Sequence, residues 1–92
     1  VVASILLLDE TQRLRPGAAP GLPASFLAAI DGLAIGEGVG SCGTAAFRGE
    51  PVEVDDIAAS PLWTDYRDLA REAGLAACWS MPILDAAGTV LG

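Results

Sequence analysis

Two hairpin patterns, one at each end of the chain, constrain its fold more than any other feature. Near the start, residues 1–8 are apolar apart from Ser4, residues 9–11 are turn formers, and a strand pattern resumes over 12–19. Near the end, a strand pattern over 78–84 is followed by turn residues and a further strand over 89–92. Strands joined by such short turns pair antiparallel. The chain therefore predicts an antiparallel sheet, whose first strand is apolar enough to be covered on both faces.

Helical patterns fill the middle of the chain. A proline at a first helical position begins a helix over 23–30, and an alanine-rich segment predicts a second helix over 41–48. A Ser-Pro cap begins a third helix over 61–73, and residues 51–57 form a short strand before it. Because 92 residues support only one core, we predict a single domain over 1–92. Its fold class is α+β, an antiparallel sheet with flanking helices.

The charged residues exclude several classes of function. Five arginines, no lysine and no histidine accompany twelve carboxylates, which gives a net charge of −7. We therefore expect no nucleic-acid partner and no contact with an anionic membrane. The absence of histidine removes Ser-His-Asp and Cys-His catalysis, histidine-ligated haem and most zinc sites. No basic leader or apolar run of membrane-spanning length is present in the sequence, so we expect a cytoplasmic domain with reduced thiols.

Four segments carry a resemblance to a known family. They are ASILLLD at 3–9, GEGVGSCGTAA at 36–46, DIAASPLW at 56–63 and CWSMPIL at 78–84. In order and spacing they resemble the bacterial GAF domain of sensor histidine kinases, diguanylate cyclases and cyclic-dinucleotide phosphodiesterases. The resemblance implies a PAS-like sensor fold without catalytic residues. It also implies binding of an unidentified small molecule, formation of a homodimer, or both, with the signal passed to an output domain of a longer bacterial protein.

Compared with that family, the sequence is truncated at both ends. It lacks the helix that usually precedes the first strand, the second half of the last strand, and the C-terminal helix. The resemblance places the last strand in the middle of the sheet, beside the first strand. Because a missing central strand leaves backbone groups unpaired, we expect either a piece of a longer protein or a sheet completed by a neighbouring chain.

Apolar and aromatic residues are the candidates for a ligand pocket, because such pockets are mostly apolar with a few placed polar groups. The predicted ligand-binding residues are Trp63, Tyr66, Trp79, Met81, Ser80, Thr44, Cys42 and Ile57. Trp63 is favoured because it lies one residue away from the apolar stripe of its predicted helix. The residues themselves favour core positions for Tyr66 and Met81, and a tight connection for the glycine-rich segment 36–43. Neither a ligand nor a cofactor is identified by the sequence.

Two rival functions remain open at this stage. Cys42 lies near a helix start, where the helix dipole can lower a thiol pKa, and Cys78 begins a strand that can lie nearby. The pair allows a cysteine redox sensor or an enzyme resembling the free methionine sulfoxide reductases, although residues 52–77 contain no cysteine for the catalytic position of those enzymes. The other rival is a dimerisation module without a ligand, in which Trp63, Trp79 and Met81 fill the pocket.

A metal site is not predicted. The carboxylates of Asp55 and Asp56 are adjacent on a predicted strand, so they point to opposite faces. Cyclic-nucleotide binding in this family uses a motif with asparagine and lysine, and bilin attachment uses a Cys-His pair. The sequence contains no asparagine, lysine or histidine.

Overall fold

The secondary structure alternates short strands and short helices. A computed structural model describes residues 3–92. The strands are β1 (Ile5–Leu8), β2 (Arg13–Ala18), β3 (Leu33–Ala34), β4 (Val52–Val54) and β5 (Cys78–Ser80). The helices are α1 (Ala24–Ile30), α2 (Gly40–Arg48) and α3 (Arg67–Glu72), with 3-10 turns at Ile57–Ala59 and Pro61–Trp63. The predicted order of elements is largely confirmed. Val1 and Val2, part of the predicted first strand, lie outside the described residues.

The N-terminal hairpin forms as the sequence predicts. β1 pairs antiparallel with β2, so that Leu8 lies opposite Leu14, and β2 pairs antiparallel with β3. The turn is held by Asp9, whose Oδ1 accepts the backbone N–H groups of Thr11 at 2.8 Å and Arg13 at 3.0 Å. An aspartate that satisfies its own turn in this way is a strong local signal, which explains why this hairpin was predictable.

The C-terminal strands complete a second antiparallel region and join it to the first. β4 pairs with β5, and a bridge links Leu84 to Val90 across the predicted turn. The backbone N–H of Leu8 donates to the carbonyl of Leu91 at 2.8 Å, and the N–H of Leu91 donates to the carbonyl of Ile83 at 2.7 Å. The segment 89–92, called the last strand below, therefore lies between β1 and residues 83–85, as the resemblance implies, but instead of the predicted strand it forms only an isolated bridge at Val90.

The core lies between α2 and the sheet. Its buried apolar residues are Ala45, Val52, Val54, Ile57, Trp63 and Ala70. α2 turns the side that contains Ser41 and Thr44 towards this core, whereas Phe47 is exposed. The helix ends at Gly49, which adopts a left-handed conformation with φ of 69°, as helix-terminating glycines commonly do.

The predicted third helix is wrong over its first half. Residues 57–63 form two separate 3-10 turns, and α3 begins only at Arg67. Each turn has its own cap, because Asp56 accepts the N–H of Ala58 and Ser60 accepts the N–H of Leu62. Tyr66 then leaves helical geometry, with φ of −125°. Two capping side chains four residues apart therefore start two turns, where the apolar spacing alone indicated one helix.

Three further predictions about the strands require correction, and one strand was not predicted. The strand predicted over 78–84 is interrupted after Ser80, because Pro82 has no backbone N–H to donate to a ladder. The strand predicted over 51–57 is limited to β4. β1 is not covered on both faces, since Leu7 is 49% exposed. β3 was not predicted, because two residues are too few to show an alternating pattern.

Candidate functional site

A cleft of about 590 Å³ lies between the sheet and the helices. Its inner part is lined by Leu14 and Phe26 on one side and by the start of α2, with Cys42, on the other. Trp63 and Ser80 close the inner part. Pockets of 300–1,000 Å³ that are mostly apolar are typical of small-molecule sites. The volume and the lining are therefore those of a ligand cleft.

The cleft continues outwards through a slot in the sheet. This slot separates residues 3–6 from residues 79–83, and Gly92 closes one end of it. A side chain at Gly92 would overlap the carbonyl oxygen of Leu6, so the last strand approaches β1 very closely at this point. Leu91 is hydrogen-bonded to Leu8 on one side and to Ile83 on the other, so the C-terminal segment lies between these two residues. The inner part of the cleft, beneath α2, is thus the part enclosed by both helix and sheet.

A cluster of two thiols and a hydroxyl lies on the wall of the cleft. The Oγ of Ser80 lies 3.2 Å from the Sγ of Cys42 and 3.6 Å from the Sγ of Cys78. Cys78 and Ser80 are two residues apart in β5 and so point to the same face of the sheet. They meet Cys42 because α2 packs across this face. The expected proximity of Cys78 to Cys42 is confirmed, and both cysteines are free.

The thiol of Cys42 does not gain the acidity predicted from its place near a helix start. Burial raises the pKa of Cys42, the hydrogen bond to Ser80 opposes this in part, and the nearby Cys78 raises the pKa further. Desolvation of the thiolate is the largest of these effects. At neutral pH the thiol stays protonated, which disfavours both a nucleophilic cysteine and a rapid redox response.

Trp63 is fixed in the inner wall of the cleft. Its indole Nε1–H donates to the Oγ of Ser41 at 2.9 Å, and both residues are buried. Its ring lies over Gly40, where an added Cβ would come within 3.5 Å of the ring. This bond joins the 3-10 turn at Pro61–Trp63 to the first turn of α2. Trp63 thus presents a ring of fixed orientation to the cleft, next to Tyr66, which also lines it.

The other predicted site residues occupy different places. Trp79 and Met81 lie at the opening, 70% and 57% exposed, and so do not fill the cleft. Thr44 holds the glycine-rich segment, because its Oγ1 donates to the carbonyl of Gly40 and accepts the N–H of Gly38. Ile57 packs in the core. Leu14 and Phe26 were missed as lining residues, although their place in apolar patterns could have indicated them.

Among residues 3–92, no three histidine, cysteine, aspartate or glutamate side chains are grouped so that they could hold a metal ion. Over the same part of the chain, no helix combines the length and hydropathy needed to cross a bilayer.

Comparison with known proteins identifies the family. A family model described as the GAF domain matches residues 1–92. The chain belongs to the GAF domain family. In Methanosarcina acetivorans, the methyl sulfide methyltransferase-associated sensor is 39% identical over 93 residues, covering 100% of this chain and 9% of its own length. The chain thus spans only about a tenth of that curated relative.

A solved structure is similar to this GAF domain throughout. It is a domain of a protein assigned as a two-component sensor histidine kinase from Sinorhizobium meliloti. The match has a TM-score of 0.76 and 28% identity, and covers 99% of this chain and 55% of the other. The α+β fold predicted from the sequence, an incomplete antiparallel GAF fold, is confirmed.

Proposed function

We propose that this GAF domain is the sensory input domain of a signal-transduction protein and binds a small molecule in the inner cleft. The observation that carries the proposal is the inner part of the cleft, a mostly apolar space beneath α2 with Trp63 and Ser80 in its wall. A relative named as a sensor and a structural neighbour from a sensor histidine kinase support the same function. The domain itself has a regulatory role, and the output belongs to the rest of a cytoplasmic bacterial protein.

Ligand binding would act through the contacts that join α2 to the rest of the site. A ligand against Ser80 and Cys42 touches the first turn of α2, which is linked to the following 3-10 turn by the Trp63–Ser41 bond. It would order the glycine-rich segment 36–43 and residues 57–66. A ligand shifts such an equilibrium only by binding one state more tightly than the other, and this cleft can do so because its wall is built from both segments.

The test is a search for a retained or added ligand. Native mass spectrometry of the purified chain is expected to show a bound small molecule. In a separate fluorescence titration, the chain is expected to bind the uncharged probe N-phenylnaphthylamine. The Cys42→Leu variant places a larger side chain in the cleft and is expected to weaken probe binding at least tenfold. Ala87→Leu, an exposed position in the last turn, is the control. Equal binding by both variants, with both folded by circular dichroism, would show that the cleft is not the site.

A specific surface favours homodimer formation as a second role. Leu7, Trp79 and Met81 are each 49% exposed or more. Trp79 alternates with Cys78 and Ser80, so it lies on the face of the sheet opposite α2. Leu7 shares that face, because it pairs with the exposed Arg15 and not with the buried Leu14. Exposed apolar residues on one side of a protein can mark an interaction surface, and we assign these three to contacts with a second copy of the chain.

Light scattering after gel filtration tests the homodimer. The chain is expected to be dimeric at micromolar concentration, and Trp79→Asp to raise the dissociation constant at least tenfold. Phe47→Asp is the matched control, because Phe47 is 59% exposed on the outer surface of α2. A monomer at all concentrations, or an equal effect of the two variants, would contradict the role.

A further inference from the structure

We infer that the ligand of this cleft is uncharged and largely apolar, with a neutral hydrogen-bonding group that meets the Ser80 hydroxyl. The inference rests on the proposed function, because it names the chemical class of the molecule that the cleft receives. Among the described residues that line the cleft, none is aspartate, glutamate or arginine. An ionised ligand would therefore lose its hydration without gaining a partner of opposite charge, which is very costly in an apolar site.

The arginines are engaged elsewhere on the protein. Arg15 forms ion pairs with Asp9 and Asp31, Arg48 with Glu37, and Arg71 with Asp68. The guanidinium groups of Arg13 and Arg67 donate to the backbone carbonyls of Gly32 and Ser60, respectively. The net charge of −7 also produces a negative electrostatic potential around the protein, which repels anions. An anionic ligand would therefore meet no cationic side chain in the cleft, and the net charge of the chain would repel it.

The polar groups that line the cleft are neutral. Ser80 contributes a hydroxyl, Cys42 and Cys78 contribute thiols, and Tyr66 contributes a phenol. Burial raises the pKa of Cys42, so this thiol carries no charge at pH 7. A second hydroxyl, that of Ser41, already accepts the indole N–H of Trp63. The hydroxyl of Ser80 contacts only weak sulfur partners, so it is able to form a hydrogen bond with a ligand.

Three ring compounds of similar size and different charge provide the test. They are 2-naphthol, which is uncharged at pH 7, 2-naphthoate, which is anionic, and 2-naphthylmethylamine, which is cationic. Their binding to the 92-residue chain is measured by calorimetry. We expect 2-naphthol to bind at least tenfold more tightly than either ion. We also expect Ser80→Ala to weaken its binding about fivefold, as loss of one hydrogen bond predicts.

A variant at the opening tests the electrostatic reason directly. Met81→Lys places a cation at an exposed position beside the cleft and is expected to increase 2-naphthoate affinity at least threefold. Leu84→Lys adds the same charge at a residue that is 46% exposed and outside the cleft lining, and is the control. If either ion binds the unaltered chain as tightly as 2-naphthol, the ligand class is wrong and the binding function stands. If no compound of the three binds, both the ligand class and the proposed function are overturned.

Discussion

The hydrogen bond between Trp63 and Ser41 should contribute measurably to stability, because it is buried on both sides. The indole N–H lies 2.9 Å from the Ser41 oxygen, with Ser41 0% and Trp63 6% exposed. Ser41→Ala leaves the indole N–H without its acceptor, which costs about 1–3 kcal/mol. The better helix propensity of alanine returns a few tenths of this. We expect a net loss of about 1–2 kcal/mol, a fall in Tm of about 5–15 °C.

Urea unfolding followed by far-ultraviolet circular dichroism is the assay, because it does not depend on tryptophan fluorescence. The Ser41→Ala change is made both in the natural chain and in a Trp63→Phe background. In the Trp63→Phe background the indole N–H donor is gone, so we expect Ser41→Ala to leave the free energy of unfolding almost unchanged. Ser4→Ala is the control, because Ser4 is exposed, and we expect a change within about 0.5 kcal/mol. Equal costs of Ser41→Ala in the two backgrounds, within about 0.3 kcal/mol, would refute the reasoning.

Three other predictions follow from the close contacts and pKa shifts. Gly43→Ala should lower the urea midpoint strongly, because its Cβ would lie 2.7 Å from Val39. Gly36→Ala should cost less, because its new Cβ would come no closer than 3.4 Å to Val39 and its φ lies outside the left-handed region. Because burial raises the pKa of Cys42, the unfolded chain loses this proton first, so stability should fall as pH rises above about 9, and Cys42→Ala should remove that slope. Hydrogen bonds from Thr11 and Arg13 lower the pKa of Asp9, so the stability that its carboxylate contributes should be lost as pH falls below about 4. If the free energy of unfolding of Asp9→Asn falls with decreasing pH as steeply as that of the natural chain, this prediction is wrong.

Local signals explain why much of the secondary structure was predictable. The turn at Asp9 satisfies its own backbone groups within four residues, and the αL glycine at Gly49 ends α2 by its own conformation. The cap at Ser60 was also recognised, but it begins only the turn Pro61–Trp63, because Tyr66 leaves helical geometry before α3 begins. In each case the decisive hydrogen bond joins residues close in the sequence, so the information was present in the chain.

The amino-acid sequence by itself determined the α+β class, the GAF resemblance, the hairpins and the absence of histidine chemistry. The tertiary structure alone decided the shape of the cleft, the fixed position of Trp63 and the raised pKa of Cys42. The reason is that these features depend on contacts between residues far apart in the sequence. Ser41 and Trp63 are 22 residues apart, and Cys42 and Ser80 are 38 apart. Such contacts depend on how α2 packs across the sheet, and no local pattern specifies that packing.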